Sequence, residues 1–204
     1  MKVLAVVAHP DDEVLGCGGT LARHVTDGDE VTCLLTVRDR WQQHVEAARE
    51  LGIGVWTHEE SFVDQELDAR PFGRILSLIE GCAQQLPPRI VYTHSPEDLN
   101  LDHQIVARAV LTAFRPFVSR ATILTFETIS STEWSPQPFA PNHWVELTEK
   151  QLDRKCNALD CYPTEAREPP HPRSHGGIRC QARVRGAQAG VMYAEAFRLI
   201  RHVA

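Results

Sequence analysis

Residues 2–8, KVLAVVA, form an unbroken apolar run that stops abruptly at His9-Pro10-Asp11-Asp12-Glu13. A strand with one wet face alternates apolar and polar residues. A run that is apolar at every position is buried on both faces, as in the centre of a parallel sheet. Such a strand needs cover above and below, so this feature commits the chain to a layered α/β architecture. Further strands are predicted at 30–37 (EVTCLLTV), 54–56, 89–93 (RIVYT) and 121–127 (ATILTFE). Between them, helices are predicted over 14–26, 40–51, 71–85 and 101–114. In the second, Trp41, Val45, Ala48 and Leu51 share a face and Gly52 supplies the stop. The expected fold is a Rossmann-like three-layer α/β sandwich with a mostly parallel central sheet.

The last third is less regular. Ser130 to His143 is polar and proline-rich and reads as a long surface loop; 163–177, with four prolines, reads as another. Helices are expected over 150–162 and from about 178 to 200. No internal repeat or linker is visible. A chain of 204 residues, 43% of them apolar, suits one domain spanning 1–204.

Charge and cysteine content narrow the function classes. A net charge of −6 argues against a nucleic-acid partner. No apolar stretch reaches the roughly 18–20 residues needed to cross a bilayer. The amino-terminal run ends in a histidine and acids, so it reads as a buried strand and not as a signal peptide, and a cytoplasmic location is expected. The six cysteines contain no C-x-x-C pair and are read as reduced, mostly structural thiols. A homo-oligomer is left open.

Two clusters carry the chemistry. His9-Pro10-Asp11-Asp12-Glu13 follows the first strand, and Asp98-Leu99-Asn100-Leu101-Asp102-His103 follows the strand RIVYT. Ligands of open α/β sheets sit beyond the carboxyl ends of strands, where both clusters fall. Adjacent acids at the end of a buried strand repel one another unless a cation offsets them. If the two strands are neighbours, His103 can meet His9 and Asp12. Two histidines and one aspartate then make an open three-ligand site of the catalytic zinc type. Taken singly, the first cluster also reads as an ordinary turn and the second as a helix cap. The glycines of GCGGT at 16–20 lack the G-x-G-x-x-G spacing of a phosphate cradle, so close packing of helix on strand is the better reading.

Together these motifs resemble the PIG-L/LmbE-type zinc N-deacetylases. That family includes deacetylases of N-acetylglucosaminyl-phosphatidylinositol, of mycothiol and bacillithiol precursors, and of chitobiose. Its leading motif A-H-P-D-D-E stands intact at 8–13, and the Asp-His that ends its second motif stands at 102–103. LGCGGT, HSPEDLNLDH and GVMYAEAFRLIR extend the likeness along nearly the whole chain. The resemblance implies His9, Asp12 and His103 as zinc ligands, Asp11 as general base, and Asp102 as orienter of a neighbouring histidine. Many members carry a histidine where this chain has Asn100, which can donate a hydrogen bond to an oxyanion but cannot shuttle a proton. His171, in PPHPRSHGG, is the candidate for a further polar group. Arg40 resembles an arginine that faces the sugar, although Gln43 stands where a glutamate is usual, and Asp64 resembles an acid that grips sugar hydroxyls. Glu13 either orients a ligand from behind or caps the next helix.

The activity so implied is removal of an acetyl group from an N-acetylglucosamine-like sugar or conjugate, releasing acetate, with a small molecule or glycan as substrate. Zinc is the expected metal, and iron(II) also suits a two-histidine, one-carboxylate set. The rivals are an amidase for another N-acyl glycosylated metabolite, a non-catalytic nucleotide-binding Rossmann-like protein, and a metal-binding scaffold without catalysis.

Overall fold

The computed structural model describes residues 1–60 and 62–204. In chain order the elements are β1 (Lys2–Val7), α1 (Asp12–Thr26), β2 (Glu30–Leu35), α2 (Trp41–Leu51), β3 (Gly54–Trp56), α3 (Phe72–Gln85), β4 (Ile90–His94), α4 (Leu101–Ala113), β5 (Thr122–Phe126), β6 (His143–Glu146), α5 (Glu149–Asp160), α6 (His175–Ala189) and β7 (Ala194–Arg201). Short 3-10 turns occupy Leu67–Ala69 and Thr132–Trp134.

The seven strands form one sheet in the order β3-β2-β1-β4-β5-β7-β6. The first five are parallel, and β7 runs antiparallel to both β5 and β6. The apolar run of β1 lies centrally, as its composition requires. Its residues alternate between two cores: Val3, Ala5 and Val7 face α1, α2, α5 and α6, whereas Leu4 and Val6 face α3 and α4. The result is the expected three-layer sandwich.

Strand order reverses at β1: the chain first moves outward to β2 and β3, then returns to place β4 on the other side. The pairing of β1 with β4, Val3 against Ile90 through Val6 against Thr93, therefore creates a switch point. The loops leaving these strands diverge and open a crevice, and they carry the two chemical clusters.

The carboxyl-terminal part corrects the reading of a helix to about residue 200. α6 stops at Ala189 because Gly190 takes a left-handed conformation, φ 76°. The chain then re-enters the sheet as β7, whose Ala194 to Phe197 are buried. The loop predicted from Ser130 ends at His143 as expected, but a strand that the sequence did not suggest, β6, begins there.

GCGGT packs as expected. A Cβ on Gly16 would overlap the Phe126 ring, and one on Gly19 would meet Leu147 and Glu195. Glu195 reaches into the middle of α1, accepting from Gly19 N–H (3.0 Å) and Thr20 N–H (2.7 Å). Lys155 Nζ bridges Glu195 Oε1 (2.6 Å) and the Leu15 carbonyl oxygen (2.9 Å). A buried ion pair from α5 and β7 thus clasps the helix that begins at Asp12. Lys155→Met strands the Glu195 carboxylate in the interior and is expected to cost about 3–5 kcal/mol in urea unfolding. Adding Glu195→Gln is expected to recover part of that loss.

Candidate metal centre and active site

His9 leaves β1 directly and is buried, with Asp12 at the first position of α1. His103 and Asp102 lie in the first turn of α4, whose N-cap is Asn100: its side-chain oxygen accepts from Asp102 N–H (2.9 Å) and His103 N–H (3.4 Å). The second cluster is therefore a helix cap as well, and the cap coexists with the meeting of the side chains.

The three candidate ligands converge. His9 Nδ1 lies 3.3 Å from His103 Nε2 and 3.3 Å from Asp12 Oδ2, and His103 Nε2 lies 3.3 Å from Asp12 Oδ1. A tetrahedral zinc with arms of about 2.05 Å has ligand-to-ligand edges of about 3.3 Å. These contacts reach both Asp12 oxygens, Oδ2 towards His9 and Oδ1 towards His103, and one donor atom from each of the three buried residues lies within 4.8 Å of the others, close enough to share one small ion.

Carboxylates face the outer nitrogens of both rings. His9 Nε2 sits 2.9 Å from Asp102 Oδ2 and 3.0 Å from Asp64 Oδ1. His103 Nδ1 sits 3.2 Å from Asp98 Oδ1. Asp102 takes the outer N–H of His9, which would turn the other nitrogen's lone pair inward towards a metal, whereas Asp98 stands at ion-pair distance from His103 Nδ1 without the alignment of a hydrogen bond. Asp102 is held by the backbone N–H groups of Gln65 (2.9 Å) and Leu67 (3.1 Å). Asp98 accepts from Asn100 N–H (2.9 Å), from Ser131 Oγ (2.5 Å) and from the Thr132 hydroxyl.

The charge balance points the same way. Burial lowers the pKa of His9, but its hydrogen bonds with Asp102 and Asp12 outweigh that and raise it to about 10. Burial likewise opposes charge on His103, and Asp12 and Asp98 raise it to about 9. Protons thus occupy, on the imidazoles, the role a divalent cation would fill, and metal binding would release them. His94 stacks on His103 with ring centroids 4.0 Å apart and is driven down to about 3, by burial first and then by the charge of His103. It stays neutral: its Nε2 accepts from Ala8 N–H (2.9 Å), which leaves Nδ1–H facing the Thr128 hydroxyl (3.4 Å).

Asp11 sits beside this set. Burial and the adjacent Asp12 charge push its carboxyl well above the usual range, and Arg173 partly offsets them. Its backbone is left-handed, φ 110°. Glu13, fully buried, accepts from Asp11 N–H (3.2 Å), the Tyr162 hydroxyl (2.5 Å) and His44 Nδ1 (3.2 Å). It braces the Asp11 turn from behind instead of capping the helix. Of four non-glycine residues with positive φ among those described, Asp11, Gln65 and Ser130 line the same crevice, and Phe117 lies elsewhere. Such residues cost about 1–3 kcal/mol each and gather where geometry is functionally constrained.

The crevice encloses about 250 Å³. Arg40, Asp64 and Asn100 line it as the sequence suggested; His171 does not. His171 accepts from Arg173 N–H (3.1 Å) and closes a turn, so the loop presents Arg173 to the site in its place. Glu165 and Ser131 join the lining without having been singled out. A wider cleft of about 530 Å³ lies around Tyr92 and Trp144, but both groups of potential metal donors among the described residues lie at the switch point.

The PIG-L family (GlcNAc-PI de-N-acetylase) matches residues 4–114, which include both clusters. The chain belongs to this family. Relatives of the chain include the uncharacterized deacetylase YaiS of Escherichia coli K12, 30% identical over 170 residues that cover 77% of this chain and 88% of YaiS. Among solved structures, the conserved protein TT1542 of Thermus thermophilus superposes with a TM-score of 0.78 at 26% identity, covering 99% of this chain and 96% of its own. GalB of Pseudomonas putida KT2440, a 4-carboxy-2-hydroxymuconate hydratase, has a TM-score of 0.77 at 20% identity, covering 100% and 97%. The PIG-L fold thus also occurs in a protein named for hydration, so the reaction has to be argued from side chains. Among the described residues no helix is long and apolar enough to cross a membrane.

Asp98→Asn removes the charge behind His103 and is expected to weaken the binding of a divalent metal at this site about 10–100-fold. Competition against a chromophoric chelator measures this directly.

Proposed function

We propose that this PIG-L protein is a zinc-dependent deacetylase that removes acetate from an N-acetylglucosamine-like sugar or sugar conjugate. The observation that carries the reading is the convergence of His9 Nδ1, His103 Nε2 and the two oxygens of the Asp12 carboxylate at 3.3 Å contacts, with Asp102 on the outer nitrogen of His9 and Asp98 beside that of His103. Bound there, zinc supplies a Lewis acid for the acetyl carbonyl and lowers the pKa of a water molecule. The remaining chemistry falls to this chain's own side chains.

Asp11 borders the triangle and is kept basic by burial and by Asp12, which suits it to take the proton of the attacking water. The same carboxyl can return that proton to the departing nitrogen, a route that does not need an acid at position 100. Asn100 spends its side-chain oxygen on the helix cap, which leaves its NH2 end to donate to the oxyanion. Arg40 and Asp64, with the serines 130 and 131, offer donors and acceptors for sugar hydroxyls. At about 250 Å³ the crevice is smaller than the ~300–1,000 Å³ of pockets that swallow a whole drug-sized ligand. It suits the acetamido end of a sugar, with any larger aglycone left outside.

Acetate release from a panel of N-acetylated sugars tests the proposal. Chelation is expected to abolish turnover and added zinc to restore it, with one ion bound per chain. Asp11→Asn is expected to lower kcat by about 10²–10⁴-fold while that ion stays bound. Tight nucleotide binding with no acetate released would favour the Rossmann-like rival.

A further inference from the structure

The segment between α5 and α6 lies outside residues 4–114, yet it reaches the heart of the crevice. Arg173 Nη1 donates to Asp11 Oδ2 at 2.9 Å and to Glu165 Oε2 at 2.7 Å, and its Nε donates to Ser130 Oγ at 2.6 Å. Glu165 is gripped in turn by Arg40 Nη1 at 2.5 Å. One planar fork therefore joins Asp11 to the loop after β5 and to the wall that carries Arg40.

Two details argue for more than surface decoration. Arg173 touches two of the three left-handed residues of the crevice, Asp11 and Ser130, so it ties together the positions where the backbone is least free to relax. It also holds a single oxygen of Asp11: among the described residues Oδ1 has no hydrogen-bond partner. A carboxylate pinned at one oxygen presents the other in a defined direction, whereas an unpinned one rotates. Glu165 shares the guanidinium, so Arg173 does not spend its whole charge on Asp11.

Building on the deacetylase reading, we propose that Arg173 is a positioning residue that fixes the Asp11 carboxylate for proton transfer, with Glu165 and Ser130 holding Arg173 in register. Lysine cannot replace it fully, because an ammonium is a point charge without the fork that serves three acceptors at once.

The test compares wild type with Arg173→Ala, Arg173→Lys and Glu165→Gln, using N-acetylglucosamine and its methyl glycoside as probes. Arg173→Ala is expected to lower kcat about 10²-fold, the scale of a reacting group misplaced by about an ångström. Its KM is expected to stay within about threefold, as for an interaction that does not simply bind substrate. Millimolar guanidinium is expected to restore part of the kcat of Arg173→Ala. Arg173→Lys should fall between Ala and wild type, and Glu165→Gln should show a smaller loss in the same direction. Zinc stoichiometry should be unchanged, and a crystal structure of Arg173→Ala should show the Asp11 carboxylate rotated. A kcat near wild type in Arg173→Ala, or a loss that follows lost zinc or lost fold and ignores guanidinium, overturns the proposal. If wild type releases no acetate from any sugar, the deacetylase reading fails instead, and the Asp11 rotamer in the two crystal structures still decides the clamp.

Discussion

Negative charge held out of water at the β1–β4 switch point is the constraint on which the rest of the molecule depends. Asp11, Asp12, Asp98 and Asp102 are all nearly inaccessible, and they share one small region with His9 and His103. Carboxylates taken from water are costly unless they are paired or neutralised. Every nearby structural choice reads as an answer to that cost. Backbone N–H groups from the 65–67 turn serve Asp102, hydroxyls from the loop after β5 serve Asp98, and Arg173 serves Asp11. What hydrogen bonding leaves over falls to the imidazoles, which hold protons far more tightly than free histidine does.

This arrangement explains why the fold is built around two strands from separate parts of the chain. Parallel neighbours that diverge at their carboxyl ends bring two loops together without either folding back on itself. His9 arrives on one and His103 on the other, each backed by its own acid. A metal there would be gripped from both sides of the crevice and would bind the halves of the sheet's upper edge to each other.

Much of this was readable before any coordinates. β1 was legible because an unbroken apolar run from Val3 to Ala8 has few alternatives, and the meeting of His9, Asp12 and His103 because each half is a short local motif. The condition attached to it, that the two strands be neighbours, is met by the pairing of Val3 to Val6 with Ile90 to Thr93. The end of the chain was harder to read. VMYAEAFRLI places apolar residues where a helix or a strand can use them, and only Gly190 hinted that the helix had ended. Arg173 was missed in favour of His171, two residues away, because an irregular proline-rich loop has no period from which to read where a side chain points. Asp98 stood in the quoted motif, but nothing local marks it as the acid behind His103; that role appears only when the loop after β5 closes over it.

The Lys155–Glu195 clasp has a bearing on how the protein matures. Asp12 and both histidines lie within the first 103 residues of the chain, but α1, which starts at Asp12, takes two of its interior N–H partners from a residue 176 and 175 positions further on. A chain ending soon after His103 would leave that helix unclasped and its glycine-rich flank uncovered. The helix that carries Asp12 is thus completed only by the strand that also completes the sheet.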